Sequence, residues 1–279
     1  MQTDRYHGEA FEKRFLARLS TEEVKQLPKD DALIVLPIGA VEQHGPHMPI
    51  YTDTLIAEGV LMEAFEHFAE VDNIWLLPPL PYGKSTEHLG MAGTITLSAA
   101  TLQSVVMDIA KSVSDSGFKR LVLFNSHGGN HDLLNMISRE VRIETGMMVF
   151  RLNSSDGNLL TDLIPEKEWV FGIHGGDVET SMVLDIKGNW VNMEQSPVDF
   201  VSLPEDVQYL YLKGSCYFAW VINDISATGM AGDATRATVE KGKEINQRAG
   251  KYIAEALKEM SRFNIDELQK GGEDHDDNY

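Results

Sequence analysis

The segment Glu42-Gln43-His44-Gly45-Pro46-His47 places a carboxylate and two imidazoles close together, and Asp53 follows after a short loop. Two further clusters of the same character lie downstream: Asn125-Ser126-His127-Gly128-Gly129-Asn130 and His174-Gly175-Gly176-Asp177-Val178-Glu179-Thr180. Carboxylate and imidazole groups are ligands of divalent first-row metals. Two cations about 3.5–4 Å apart need a bridging carboxylate and further donors on each side. Glu42, His44, Asp53, His127 and Glu179 supply such a set, with Asp53 able to bridge. Zinc, manganese and iron(II) all accept this shell, so residue type does not choose among them. The sole cysteine, Cys216, permits neither a thiolate cluster nor an intrachain disulfide. Its setting, Gly214-Ser215-Cys216-Tyr217, predicts a buried small apolar residue.

Each cluster has a plainer reading. An acid at Glu179, in the first turn of a helix, suits the helix dipole without any metal. His47, between Pro46 and Pro49, reads equally as a turn residue. Asn125 either orients a ligand or ties its own turn. His88, in Ser85-Thr86-Glu87-His88-Leu89-Gly90, either enters a pocket or bonds within its loop. Gly128-Gly129 suggests close backbone approach, but lacks the spacing of the common phosphate loops.

The elements that must carry these residues follow from periodicity. Residues 32–38 form an unbroken apolar run closed by Gly39, which predicts a strand buried on both faces. Further strands are predicted at 73–77, 120–124 and 147–152, with weaker ones at 209–212 and 217–221. Helices are predicted at 52–68, 98–116, 130–145 and 176–184, and a long one within 231–260. Residues 82–94 and 154–172 read as irregular, functional segments. Alternation of strand and helix predicts a single-domain layered α/β fold, with a mostly parallel central sheet flanked by helices. Ligands of such sheets bind beyond the carboxyl ends of the strands. That is where Glu42, His44 and His127 fall.

The chain has 279 residues, enough for one sizeable core. Residues 1–265 are expected to form one domain, and the acidic stretch 266–279 a disordered tail. Lysine and arginine number 24 against 43 aspartates and glutamates, a formal charge of −19. That field opposes binding to nucleic acid or to an anionic membrane. No apolar run is long enough to span a bilayer, and the N-terminus lacks a signal-peptide pattern, so a cytoplasmic protein is expected.

These motifs together resemble the creatininase (creatinine amidohydrolase) family. The resemblance rests on 39–47, Asp53, His127-Gly128-Gly129-Asn130 and 174–180. Glu87-His88, Gly93-Thr94 and the segment 232–242 add to it. It implies a layered α/β hydrolase with a dinuclear centre, often assembled as a homohexamer. It implies Glu42 and His127 on one metal, His44 and Glu179 on the other, and Asp53 between them. His174 would transfer a proton near the scissile bond, with Glu179 acting beside it. Creatininase itself carries a glutamate ligand just after the metal-binding histidine. Gly128-Gly129 stands there in this chain, which moves that role to Glu179. The expected substrate is a small molecule with a non-peptide linear or cyclic amide, such as creatinine or a formamide. Rival readings are a phosphohydrolase or sugar-handling enzyme on the same metals, for which Lys84 is the obvious cation, and a non-catalytic, metal-stabilised assembly or regulatory protein.

Overall fold

Side-chain alternation along the central strands divides the interior into two cores. The computed structural model describes residues 6–268. Its main sheet comprises β1 (Leu33–Ile38), β2 (Ile74–Leu76), β3 (Arg120–Asn125) and β4 (Met148–Asn153), all parallel, in the order β2-β1-β3-β4. The helices are α1 (Gly8–Glu12), α2 (Thr21–Gln26), α3 (Thr52–Phe65), α4 (Ala99–Asp115), α5 (His131–Thr145), α6 (Glu166–Phe171), α7 (Asp177–Lys187), α8 (Ile222–Ile225) and α9 (Val239–Arg262). Leu33, Val35, Val122, Phe124 and Leu152 point to one side, where they join apolar residues of α3, α7 and α9. Ile34, Leu36, Ile38, Leu121 and Leu123 point to the other, against α4 and α5. Every residue of β1 is buried. The apolar run that predicted this strand thus reports two covered faces.

This strand order sets the location of the site. From β1 the chain passes through α3 to β2, then through α4 back across to β3 on the other side of β1. The connections therefore diverge onto opposite faces at the β1–β3 boundary. In open α/β sheets a crevice forms at such a switch point. The register runs from Leu33↔Arg120 to Ile38↔Asn125, so the two strands end level. Their following loops, which carry Glu42, His44 and His127, emerge side by side.

The helices on the α3 side pack closely because glycines remove the intervening side chains. A Cβ on Gly242 in α9 would collide with the backbone carbonyl of Ser181 in α7, and one on Gly250 would collide with Glu63 in α3. Asp177, fully buried at the start of α7, pairs with Lys241 of α9 at 2.6 Å. This bond fixes the helix end that presents Glu179.

The structure corrects several expectations. Residues 209–212 and 217–221 do not form strands; among the described residues their only strand-like contact is an isolated Tyr211–Tyr217 bridge. Tyr209, Tyr211 and Tyr217 are exposed, and Gly214 has φ +103°. Aromatic β-propensity here is not matched by pairing with any strand of the main sheet. The segment instead folds around Leu212, Ile222 and Ile225, which leaves Cys216 exposed rather than buried. The nominally irregular 154–172 contains α6, and α1 and α2 arise in a region for which periodicity gave no helix. The helix predicted at 176–184 extends to Lys187, and that at 52–68 ends at Phe65. Most of the acidic tail lies outside the described residues, which close with a turn at Ile265–Glu267. No described helix is long and apolar enough to cross a membrane.

The α7–α9 contact gives a test. Gly242→Ala should lower unfolding free energy by about 1–3 kcal/mol through overpacking, measured by urea denaturation. Unchanged stability would mean that the two helices are not in close contact.

Candidate metal centre

The loop after β1 is held in shape by its own backbone and by α3. Glu42 N donates to Ile50 O at 2.9 Å, closing the loop on itself. Gly39 lies so close to Thr54 that a Cβ would meet its main chain at 2.8 Å. That approach draws in the first turn of α3, and with it Asp53. On the neighbouring strand end, Asn125 Oδ1 accepts from His127 N at 3.2 Å, and its Nδ2 donates to His127 O at 2.9 Å. Asn125 therefore ties the turn that aims His127. His174 is held by backbone bonding with Ala231, whose N–H donates to His174 O at 2.7 Å.

These segments bring the predicted residues together. One group comprises Glu42, Asp53 and His127, another His44, His174 and Glu179; within each, the donor atoms lie within 4.8 Å of one another. His127 Nε2 is 3.3 Å from Glu42 Oε2, and His127 Nδ1 is 3.5 Å from Asp53 Oδ2. His44 Nε2 is 3.6 Å from Asp53 Oδ1 and 4.0 Å from Glu179 Oε2, so Asp53 faces both groups. Glu42, His44, Asp53, His127 and His174 are buried, whereas Glu179 is partly open to the cavity. His88 also reaches the centre, its Nε2 3.5 Å from Glu42 Oε1. His47 does not: its Nε2 bonds Thr180 Oγ1 at 2.9 Å.

Hydrogen bonds to backbone carbonyls, which can only accept, fix the ring nitrogens. His44 Nδ1 faces Glu42 O at 3.1 Å and His174 Nε2 faces Gln43 O at 2.7 Å. His127 Nε2 faces Lys84 O at 3.0 Å. Each of those nitrogens donates, so in the neutral ring the other nitrogen keeps its lone pair. His44 Nε2 is thereby turned toward Asp53 and Glu179, His174 Nδ1 toward Glu42, and His127 Nδ1 toward Asp53. Such outer bonding is how proteins orient metal-binding imidazoles. His88 is reversed. Gln43 Oε1 accepts from Gly45 N at 3.0 Å, which sets the amide, and Nε2 then donates to Gly229 O and to His88 Nδ1, at 2.5 and 2.8 Å. His88 accordingly presents Nε2–H to Glu42 as a donor rather than as a ligand.

Both Glu42 carboxylate oxygens, His44 Nε2 and Asp53 Oδ2 are buried without hydrogen-bond partners. Orphaned buried groups of this kind are costly unless something binds them. Protons partly take that place when no cation does. Burial, with the Asp53 charge, pushes Glu42 up to about 8. Burial works against charging His44 and His127, but the carboxylates around them overcome it and raise both to about 10. Burial and the neighbouring His44 charge push His174 down, and lower His88 to about 4.

A cavity of about 570 Å³ opens onto the cluster, with Glu42, Asp53, His127 and Glu179 in its wall and Leu212, Tyr217 and Trp220 across it. A second chamber of about 280 Å³, lined in part by Ser126 and Trp169, shares Ile173, His174, Glu179 and Lys213 with the first. The 212–220 segment is thus wall to the cavity, a role its sequence did not disclose.

Buried carboxylates and imidazoles at the carboxyl edge of a parallel sheet define an α/β metallohydrolase site. The family model described as creatininase, creatinine amidohydrolase, matches residues 17–257, so the chain belongs to the creatininase family of hydrolases. It is similar to a mycofactocin precursor peptide peptidase of Mycobacterium ulcerans, with 32% identity over 82% of this chain and 86% of the relative. Solved creatininases in a manganese form and, as a mutant, in a zinc–zinc form superpose with TM-scores of 0.71 and 0.70. Each is 27% identical and covers 89% of this chain and 98% of its own.

The raised groups all act in one direction on the metal-free protein. Glu42, with a folded value of about 8 against 4.5, and His44 and His127, at about 10 against 6.5, retain protons that the unfolded chain has released. Their contribution to stability is lost as pH rises through the folded values. The melting temperature of chelated protein should therefore fall between about pH 7 and 10 relative to that of metal-loaded protein. Parallel profiles for the two forms would contradict the cluster's electrostatics.

Proposed function

We propose that this chain is a dinuclear metal-dependent amidohydrolase. Asp53 would be shared between two divalent cations, with Glu42 and His127 holding one and His44 and Glu179 the other. The observation that carries this reading is the convergence of unpartnered, buried ligand atoms from Glu42, His44 and Asp53 on one volume. Cations bound there would lower the pKa of a water toward neutrality and polarise a substrate carbonyl. Zinc, manganese and iron(II) all suit the donors.

The chain's own residues supply the rest. His174 holds its Nε2 proton on Gln43 O, leaving Nδ1 to accept a proton from the attacking water and pass it to the leaving nitrogen. Glu179, partly open to the cavity and 4.0 Å from His44 Nε2, stands beside that path. His88 directs a neutral N–H into the same space. Leu212, Tyr217 and Trp220 give this cavity an apolar and aromatic wall.

The substrate read from the sequence is a small, non-peptide linear or cyclic amide. A short peptide amide is the second reading. It is favoured by the chamber beyond His174, which gives room for substituents on both sides of a scissile bond, and by the likeness to a peptide peptidase. The phosphohydrolase reading loses support because Lys84 is paired with Glu87 at 2.6 Å.

Glu42→Ala and Asp53→Ala should each remove bound metal and turnover together. His174→Asn should keep its metal and lose about 10²–10⁴ in kcat. Metal content by elemental analysis and turnover on formamides, creatinine and dipeptides with added zinc, manganese or iron check both. Full metal occupancy in Asp53→Ala would refute the bridging assignment.

A further inference from the structure

The turn at Thr86–His88 brings one more acid to the centre. Glu87 Oε1 lies 3.5 Å from His127 Nε2, and Oε2 lies 2.6 Å from Lys84 Nζ. Its side chain is largely buried and forms part of the cavity wall. Neither the metal assignment nor the proton transfer uses it.

The loop after His127 is shaped around this carboxylate. A Cβ at residue 129 would collide with Glu87 Oε1, and would stand 2.5 Å from His127 Nε2 and 2.6 Å from Lys84 O. Gly129 is not among the glycines with positive φ. Its lack of a side chain thus answers a demand for space, not for backbone conformation. Gly128, beside it, has nothing within 4 Å of the same position. The glycine that matters is the one facing Glu87.

The position of Glu87 relative to the ring is equally specific. His127 Nε2 carries the proton, because Lys84 O accepts from it. Glu87 therefore lies on the donor side of the imidazole, while Nδ1 faces Asp53. Lys84 Nζ, 2.6 Å from Oε2, pairs with the carboxylate there. Glu87 is an anion behind the ring.

We propose that Glu87 is a positioning residue for His127. Standing 3.5 Å from Nε2, whose proton Lys84 O accepts, its carboxylate favours the ring with Nδ1 inward and strengthens that nitrogen as a donor to a cation, as outer carboxylates do for metal-binding histidines. Gly129 is the space that admits it. This inference rests on the dinuclear reading above.

The test is titration of chelator-treated protein with Zn²⁺ or Mn²⁺ against a chromophoric competitor, with circular dichroism and thermal melting of the metal-free form as fold checks. Glu87→Gln should weaken one of the two sites about 10–100-fold while the fold is kept. Lys84→Met, which breaks only the ion pair, should leave both affinities as in the parent protein. Unaltered affinity in Glu87→Gln, or an equal loss in Lys84→Met, would overturn the role. Should Glu87→Gln fail to fold, Glu87→Asp serves instead: it keeps the charge, withdraws the carboxylate from His127 and should weaken the same site, whereas parental affinity would overturn the proposal. Failure of the parent protein to bind any metal is a different result and would remove the dinuclear reading itself.

Discussion

Three carboxylates and two imidazoles cannot be packed into one dry volume without positive charge to hold them. Glu42 and Asp53 are both buried against His44 and His127, and several of their atoms have no partner. Burying ionised groups costs several kcal/mol each unless pairing and hydrogen bonding offset it. Much of the surrounding structure follows from that constraint. The histidines spend their outer nitrogens on backbone carbonyls, so their inner nitrogens can serve only the cluster. The Asn125 and Gln43 amides tie down the turn that carries His127 and the ring of His88.

The fold makes this concentration feasible. Equal strand lengths at β1 and β3 deliver two loops to one level, and the crossover pattern opens a crevice between them. The α3 helix then contributes Asp53 from its first turn, and α7 contributes Glu179 from its own. The site draws on four elements, each anchored in a well-packed core, so its geometry is set by packing rather than by loop preference. Much of the remaining cavity wall, including Leu212, Tyr217 and Trp220, belongs to a segment outside that frame.

Much of this was legible in the sequence, for physical reasons. The run at 32–38 has no polar residue to confuse its burial, and the helical spacing in 98–116 and 130–145 admits one reading. Glu42, His44, Asp53 and His127 stand out because reactive residue types sit at strand ends. What stayed hidden depends on partners distant in sequence. Glu87 looks like a surface acid until Gly129, from another loop, is seen to make room for it. Gln43 looks incidental until its amide is found between Gly229 and His88. Residues 209–221 resemble strands because aromatic residues serve both sheets and cavity walls, and only the partner that each meets in the fold separates the two.

The most direct test of the central claim is anomalous diffraction from a crystal of the metal-loaded protein, collected on both sides of the metal's absorption edge. The account predicts two peaks about 3.5–4 Å apart, flanking Asp53, one beside Glu42 and His127 Nδ1 and the other beside His44 Nε2 and Glu179. A single peak, or a pair held by other residues with Asp53 unengaged, would contradict it.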